Sequence, residues 1–364
     1  MGNITIPEGV DVIDNNTFVR CEGLTSIKLP STLTTIGSTV FSGCSNLSSI
    51  IIPATVTSIG MNAFFNCTSM TDVYCLADPA NLNWDERDCN DFKSDGSTKC
   101  HVANKATFEA KWKTGSTGHD GTDVNAEFVE DLAVFEDAAD NTAAIQSLQN
   151  KTRTVVIKGR TLRAGHWNTL YLPFDLSADQ IAAVFGADAV VKTLDSYDND
   201  GTNVTIGFVN ATTMETGKPY IVYIPEGSDI INPVFKDVTI KYGGSSGVSK
   251  GDAFFFGLYN PLIAYPSTSM LILKDDTFYY PTADITVNAF RCFIGLAKPV
   301  PTGGNAKIIV DFGDGEETTG IGAALNENGE MTNDVWYTLQ GVKLDGKPSE
   351  KGIYIYNGRK VAIQ

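Results

Sequence analysis

The 23-residue stretch Leu24–Asn46, LTSIKLPSTLTTIGSTVFSGCSN, decides the fold, because its pattern is written three times between Ile4 and Cys75. Four kinds of residue recur at intervals of 23: Pro7, Pro30 and Pro53; Ile13, Ile36 and Ile59; Phe18, Phe41 and Phe64; and Cys21, Cys44 and Cys67. Apolar positions between them keep the same interval: Val10, Leu33 and Val56; Leu24, Leu47 and Met70; Ile4, Ile27, Ile50 and Val73; and Ile6, Leu29 and Ile52. A fixed period of this kind predicts stacked, nearly identical turns.

Each repeat combines a short strand with a return segment. The L-x-x-I-x-I run ends at a proline, which lacks the N–H group needed to continue a strand ladder. The later part, such as Ile36–Phe41, turns the chain back and buries its phenylalanine behind the sheet. This period and spacing are typical of a leucine-rich-repeat solenoid, in which equivalent residues of successive turns lie about 4.7–4.9 Å apart. We therefore predict a mainly β fold that begins with such a solenoid.

The repeat at Leu24–Asn46 resembles that of the BspA-like bacterial surface proteins. Members of that family carry such repeats on secreted or cell-surface proteins of anaerobic gut and oral bacteria of the Bacteroidales type. The resemblance implies an extracellular or outer-surface location and binding to a host extracellular or bacterial surface protein. Because Met1 and Gly2 lead directly into the first repeat strand, we expect an export signal and further repeats upstream.

The repeat pattern changes after Cys75. Leu76 stands where a fourth proline is due, and Cys75–Thr98 is interpreted as a last repeat enlarged by polar residues. Cys100–Trp112 resembles the closing strand and short helix that cap repeats of this family, with Ala103 where those caps usually carry proline. We expect the solenoid and its C-terminal cap to occupy residues 1–136.

Residues 152–318 are predicted to form an antiparallel β-sandwich-like domain. The segment alternates runs rich in Val, Ile, Tyr and Phe with turn signals. One helix, Ser177–Phe185, is predicted from a capping box formed by Ser177 and Gln180. Trp167–Phe174 and Phe290–Phe293 resemble a β domain common in secreted Bacteroidales proteins, and that resemblance implies no activity.

Residues 319–364 are predicted to form a small C-terminal β-hairpin tail. Trp336–Gly341 and Lys351–Val361 resemble the C-terminal tails of exported proteins from the same bacteria. Some of those tails are sorting signals for an outer-membrane secretion system. Two interpretations stay open, a sorting segment or a plain β-hairpin module that packs on the sandwich.

Composition excludes two classes of partner. The chain of 364 residues carries a net charge of −16, whereas nucleic-acid phosphates require a basic face. The same acidity disfavours electrostatic docking on an anionic membrane. In addition, no apolar run reaches the roughly 18 residues that a membrane helix needs, so we expect no direct membrane insertion.

The residue types used in catalysis and metal binding form no recognisable pattern. None of the three histidines lies near a nucleophile motif, and no catalytic residue is predicted. His101 follows Cys100, with Cys75 and Cys89 upstream, but these spacings differ from the paired C-x₂₋₄-C ligands of structural zinc sites. We therefore predict no metal and no cofactor, and interpret His101 as a partly exposed cap residue. A Cys89–Cys100 disulfide stays open as an alternative.

Strand geometry predicts which side chains face outward from the repeat sheet. Successive side chains of a strand face opposite sides, and Ile4, Ile27, Ile50 and Val73 face inward. One outward row is then Thr5, Lys28, Ile51 and Tyr74, and the row beside it is Asn3, Ser26, Ser49 and Asp72. Lys28, Ile51, Tyr74, Ser26, Ser49 and Asp72 are the predicted binding residues. Tyr74 is expected to be an exposed hot spot, since aromatic residues dominate interface energetics.

The function predicted from these observations is non-enzymatic binding or adhesion to a protein ligand through the repeat sheet. One alternative is a glycan-binding or glycan-processing accessory protein that uses the sandwich domain. Trp167, Tyr279 and Tyr280 are the candidates for stacking on a sugar, although core packing is the favoured interpretation of each. A second alternative is a purely structural stalk.

Overall fold

The structure is a computed structural model, and it describes most of the chain. The described residues are 2–84, 92, 97–114, 123–124, 126–201, 203–227, 229–243, 247–299, 307–312, 317–321, 324–325, 336–338, 343–344, 348, 351–356 and 359–363. They divide into two compact units. The first unit comprises Met1–Val134 and Thr152–Gly159, and the second comprises Phe135–Lys151 and Arg160–Gln364. The domain limits expected from the sequence, 1–136, 152–318 and 319–364, stay a prediction.

The first unit consists of short strands and one short helix. Its strands are β1 (Asn3–Thr5), β2 (Val12–Ile13), β3 (Ser26–Lys28), β4 (Thr35–Ile36), β5 (Ser49–Ile52), β6 (Ser58–Ile59), β7 (Asp72–Cys75), β8 (Asn83–Trp84), β9 (Lys99–His101), β10 (Lys113–Thr114), β11 (Asp123–Val124), β12 (Glu127–Val129), β13 (Leu132–Glu136, which continues into the second unit) and β14 (Thr152–Lys158). The helix is α1 (Lys105–Glu109), whose first turn is capped by the Asn104 side chain.

The first row of strands is parallel and in register, as the 23-residue period predicts. β1 pairs with β3, placing Ile4 opposite Ile27. β5, β7, β9 and β12 form a four-stranded sheet in spatial order β12-β9-β7-β5. β3 and β5 are neighbours. Ile50, Val73, Cys100 and Phe128 are register partners from strand to strand, and all four are buried. The leucine-rich-repeat solenoid expected from the sequence is confirmed.

A second row of strands and a column of rings complete each turn. β2, β4, β6 and β8 form a four-stranded parallel sheet. Behind it, Phe18, Phe41 and Phe64 stack with ring centroids 5.6 and 5.5 Å apart. Phe92 extends the column at 5.3 Å from Phe64. The return segments pass so close together that a Cβ atom on Gly60 would lie 2.5 Å from the Ser38 backbone nitrogen, which explains the glycine after Ile36 and after Ile59.

The solenoid continues beyond the point where the sequence period stops. From Val73 to its register partner Cys100 is 27 residues, and from Cys100 to Phe128 is 28. The longer connections hold extra residues while the strands keep the same register. β9 is therefore followed by a further parallel strand, β12, and the expectation that Cys100–Trp112 closes the sheet is wrong. Phe108 and Trp112 are buried in the same core.

The second unit contains the remaining strands and two helices. Its strands are β15 (Thr161–Leu162), β16 (Trp167–Tyr171), β17 (Val190–Asn199), β18 (Asn203–Asn210), β19 (Pro219–Tyr223), β20 (Ile230–Ile231), β21 (Val234–Thr239), β22 (Val248–Lys250), β23 (Ala253–Gly257), β24 (Leu262–Ala264), β25 (Met270–Lys274), β26 (Thr277–Pro281), β27 (Ile285–Val287), β28 (Cys292–Leu296), β29 (Lys307–Asp311), β30 (Glu317–Ile321), β31 (Ala324–Leu325), β32 (Trp336–Thr338), β33 (Lys343–Leu344), β34 (Gly352–Tyr356) and β35 (Arg359–Ile363). The helices are α2 (Thr142–Ser147) and α3 (Ala178–Phe185).

Two six-stranded sheets build the core of this unit, in the orders β16-β19-β17-β18-β29-β30 and β22-β23-β28-β25-β26-β31. Their pairings are antiparallel except for β18 with β29 and β26 with β31. Phe208 of the first sheet packs on Phe255 and Phe278 of the second, at 5.8 and 5.9 Å between centroids. The antiparallel sandwich-like class is confirmed.

The remaining parts of the second unit flank these sheets. α3 begins as predicted, with Ser177 as N-cap and a capping box completed by Gln180. α2 buries Ile145, and Asn141 before it donates to the Tyr259 carbonyl oxygen. β32 to β35 form a four-stranded antiparallel sheet. Among the described residues, no helix combines the length and the apolar character that crossing a membrane requires.

Candidate binding face of the repeat sheet

The outer face of the first row of strands carries two parallel rows of side chains. The polar row consists of Asn3, Ser26, Ser49, Asp72, Lys99 and Glu127, which are exposed or half-buried. The mixed row beside it consists of Thr5, Lys28, Ile51, Tyr74, His101 and Val129. Because β1 and β3 are in register, as are β5, β7, β9 and β12, each row runs straight across those strands, and β3 and β5 are neighbours. The face is therefore an extended surface rather than a cavity.

Five of the six predicted binding residues lie on this face with part of the side chain open to solvent. Ser26 is exposed, and Lys28, Ser49, Ile51 and Asp72 are half-buried. The register brings Ser49 next to Asp72, and Asp72 next to Lys99 on the following strand. Lys99 in turn neighbours Glu127. The polar row thus changes from uncharged residues at its N-terminal end to alternating charges at its C-terminal end.

The expectation that Tyr74 is exposed is wrong. Only 3% of the residue is accessible, because the imidazole of His101 stacks on its ring with centroids 4.7 Å apart and planes at 19°. His101 is the register partner of Tyr74 on β9. The exposed hot spot expected at this position is therefore absent, and Ile51 and Val129 are the apolar residues of the mixed row that are half-buried.

His101 is held by two carboxylates. Its Nε2 atom lies 2.9 Å from Asp72 Oδ1, and its Nδ1 atom lies 2.8 Å from Asp131 Oδ1. Burial alone lowers the pKa of the imidazole, but the hydrogen bonds and charges of Asp131 and Asp72 outweigh it and raise the pKa from 6.5 to about 9. The residue is 6% exposed, so its interpretation as a partly exposed cap residue is wrong.

The cysteines near His101 are buried in the solenoid core. Cys75 and Cys100 are free thiols, and burial raises the pKa of Cys75 to about 12 and that of Cys100 well above its usual value. Both point away from the imidazole, because Cys100 occupies the inward position of its strand. Within the described ranges, no cluster of His, Cys, Asp and Glu has metal-site geometry. Cys89 lies outside the described residues.

A second histidine in the other unit is also fully engaged. His166 Nδ1 lies 2.8 Å from Asp276 Oδ2, and its Nε2 lies 3.0 Å from the Arg163 guanidinium. Asp276 also accepts the Trp167 backbone N–H at 2.6 Å. The group joins the turn between β25 and β26 to the start of β16. With both ring nitrogens occupied, the imidazole holds two chain segments together rather than acting as a general base.

The aromatic candidates of the second unit differ in exposure. Tyr279 is buried, and Trp167 is half-buried with its ring stacked on Phe312 at 4.7 Å. Tyr280 is half-buried. The sequence reasoning missed Tyr265, which is 65% exposed and follows β24, where Ile263 is 52% exposed. The alternation of Leu262, Ile263, Ala264 and Tyr265 between inward and outward positions is the signal that could have identified them.

Comparison with known protein families identifies the repeat region. Residues 1–83 match the family model described as BspA type leucine rich repeat region (6 copies). No curated protein matches the chain, and no solved structure matches it. Proteins with repeats of this type are typically surface-associated and take part in protein–protein interaction, and such solenoids are generally non-enzymatic scaffolds. The repeat unit thus matches the BspA type of leucine-rich repeat within residues 1–83.

Proposed function

We propose that this protein is a non-enzymatic binding protein that recognises a partner protein through the outer face of its repeat sheet. The observation that carries the proposal is the outer face of the neighbouring strands β3 and β5, on which Ser26, Lys28, Ser49 and Ile51 are exposed or half-buried. Stacked repeats build extended surfaces of this kind, which suit a protein partner better than a small molecule.

The hydroxyl groups of the solenoid support this assignment. Threonines elsewhere on the turns use their side chains to tie one turn to the next. Thr34 donates to the Asp11 carbonyl oxygen at 2.9 Å, and Thr55 donates to those of Ser31 and Leu33 at 2.9 and 2.6 Å. In the part of the chain that the structure describes, Ser49 makes no such hydrogen bond. Its hydroxyl is available to a ligand.

The location that fits this role is the cell exterior or outer surface, and the partner a host extracellular protein or a bacterial surface protein. The net charge of −16 favours a partner with a neutral or basic contact surface, because like charges oppose association. Lys28 and Lys99 allow local pairing with acidic groups within that contact.

A binding screen tests the proposal. The full chain is offered to a panel of purified extracellular-matrix, plasma and bacterial surface proteins, and each binder is tested again with variants. Ile51→Ser combined with Lys28→Ala should weaken binding by about 30-fold, equivalent to ~2 kcal/mol at an interface hot spot. Val12→Ser is the matched control, since Val12 is exposed but lies on the second row of strands. Equal losses from both variants, or no binder in the panel, would contradict the proposal and favour the stalk.

Glycan binding by the second unit is the other candidate, and Tyr265 is the observation that favours it. An aromatic ring with this exposure can stack on a sugar ring, and Asp284 and Thr286 on the neighbouring strand side are exposed as well. A glycan array probed with the full chain and with Tyr265→Ala tests this candidate. Retained glycan signals in the variant would rule out Tyr265 as the stacking platform.

A further inference from the structure

The arrangement of His101 between two carboxylates fixes its protonation state. Asp72 lies on β7, and Asp131 lies in the connection between β12 and β13. Both imidazole nitrogens are within 2.9 Å of a carboxylate oxygen. An ionised carboxylate only accepts hydrogen bonds, so each nitrogen must carry a proton to make its bond. The ring is therefore the positively charged imidazolium.

The surroundings of the ring give it no competing partner. The titratable or charged groups on the elements packed around it are Asp72, Tyr74 and Cys75 on β7, Lys99 and Cys100 on β9, Glu127 on β12, and Glu130 and Asp131 after β12. Both thiols face the solenoid core. Glu130 accepts the Lys105 backbone N–H, and Arg153 on β14 donates to the Thr152 carbonyl oxygen. Among the residues that the structure describes, Asp72 and Asp131 are the ones within hydrogen-bond distance of the imidazole nitrogens.

We propose that Asp72, His101 and Asp131 form a protonation-dependent clamp, which joins the Asp131 connection to the sheet face and holds the imidazole over Tyr74. Loss of one imidazole proton removes one of the two hydrogen bonds and leaves two carboxylates around a neutral ring. The ring that covers Tyr74 is then released, and an aromatic side chain becomes available beside Ile51. This consequence for binding rests on the proposed function, whereas the clamp itself does not.

The direction of the pH effect follows from linkage. The folded state binds the second imidazole proton more tightly than the unfolded state, with a pKa of about 9 instead of 6.5. The stabilisation by the clamp is therefore complete below the unfolded value and is lost as pH rises through the folded one. Geometry and linkage together predict a closed clamp at neutral pH and an open clamp in alkaline solution.

Nitrogen NMR of the full chain tests the protonation state directly, because the protein has only three histidines. In a sample labelled with ¹⁵N at histidine, the signal missing from His101→Gln belongs to His101. We expect both ring nitrogens to be protonated at about pH 7.5, with a titration midpoint near the folded-state pKa of about 9. Asp131→Asn should move that midpoint toward the ordinary histidine value. A neutral ring at that pH, or a midpoint unchanged in Asp131→Asn, would overturn the clamp.

Stability as a function of pH is the second readout. In the wild type, the midpoint temperature of unfolding of the repeat unit should decrease as the pH rises from about 7 to about 10. This decrease with pH should be absent in His101→Gln. His166→Gln is the matched control, since His166 pairs with Asp276 in the other unit, and it should keep the wild-type slope. If His101→Gln does not fold, Asp131→Asn should show a reduced slope. Identical slopes in all variants would contradict the proposal. No partner is used, so this failure is separate from that of the proposed binding function.

Discussion

The two units of this protein differ in the sequence separation between strands that pair with each other. In the two rows of repeat strands, partners lie 23 to 28 residues apart, as for Ser49 with Asp72 and Lys99 with Glu127. In the second unit, Asn203 pairs with Lys307, which is 104 residues later. A repeat of fixed length determines its own register, because each turn is a copy of its neighbour. Strands that pair over long sequence separations have no repeat that sets their register. The sequence of the second unit therefore indicates where strands lie but not their order in the sheet.

The largest expected effect comes from substitutions of buried phenylalanines. Their comparison shows how far the loss of hydrogen-exchange protection extends in each unit. Phe41→Ala should destabilise the repeat unit by about 4 kcal/mol, because Phe41 is fully buried between two stacked rings. Phe255→Ala removes an equally buried ring from the sandwich. Hydrogen exchange should show lost protection confined to turns near Phe41 in the first variant and spread through both sheets in the second. Equal spreading in the two variants would contradict the comparison.

A somewhat smaller effect is expected at the ion pair between Asp137 and Arg291 in the second unit. Asp137 is buried and accepts from Arg291 Nη2 at 3.0 Å and from Asn288 at 2.9 Å. Burial raises the pKa of Asp137, and the Arg291 charge only partly offsets that rise. Asp137→Ala should destabilise this unit by about 3 kcal/mol, because it leaves the Arg291 guanidinium without its carboxylate partner.

Denaturant unfolding measures the loss of stability in Asp137→Ala. A second substitution tests whether the unpaired arginine causes that loss. Arg291→Met added to Asp137→Ala should restore part of the stability, because no unpaired charge is left. The transition of the repeat unit should not move in either variant. A double variant that is less stable than Asp137→Ala would show that Arg291 stabilises through contacts other than the ion pair.

The same difference between the units explains how much of the candidate site could be predicted. The period predicted an outward position for Lys28, Ile51 and Asp72. All three are half-buried, whereas the inward positions Ile27, Ile50 and Val73 are buried. The period stops at Cys75, so it could not reveal that His101 follows Tyr74 in the next turn. Tyr74 was expected to be exposed for that reason. An alignment of Cys100 with Val73, which faces inward one turn earlier, would have placed His101 next to Tyr74 and identified the imidazole as the group that buries the tyrosine ring.

In the second unit, local signals were informative and long-range ones were not. The capping box of Ser177 and Gln180 was predicted correctly because it depends on residues three apart. The burial of Asp137 depends on Arg291, which lies 154 residues later. No local pattern marks that partnership, and the domain limits expected from the sequence, 1–136 and 152–318, left Asp137 between the two domains. The structure places Phe135–Lys151 within the second unit.

The smallest expected effect concerns the threonine hydroxyls that tie repeat turns together. Thr55→Val keeps the side-chain shape but removes the donor to the Ser31 and Leu33 carbonyl oxygens, and it should destabilise the repeat unit by about 1 kcal/mol. Thr286→Val in β27 is the matched change in the second unit, where the exposed hydroxyl makes no hydrogen bond to any residue the structure describes. Thermal unfolding should show almost no effect there. A larger shift for Thr286 than for Thr55 would contradict the assignment of the threonines as ties between turns.

The most direct test of the account compares one partly exposed isoleucine from each unit. Ile51 lies on the outer face of the repeat sheet, and Ile263 lies on an exposed strand of the second unit. Each is changed to arginine in the full chain, and affinity for a partner found in the protein panel is measured by calorimetry. We predict that Ile51→Arg weakens binding by at least about 30-fold and that Ile263→Arg leaves it unchanged. Loss of binding with Ile263→Arg and retention with Ile51→Arg would contradict the claim that the repeat sheet is the recognition surface.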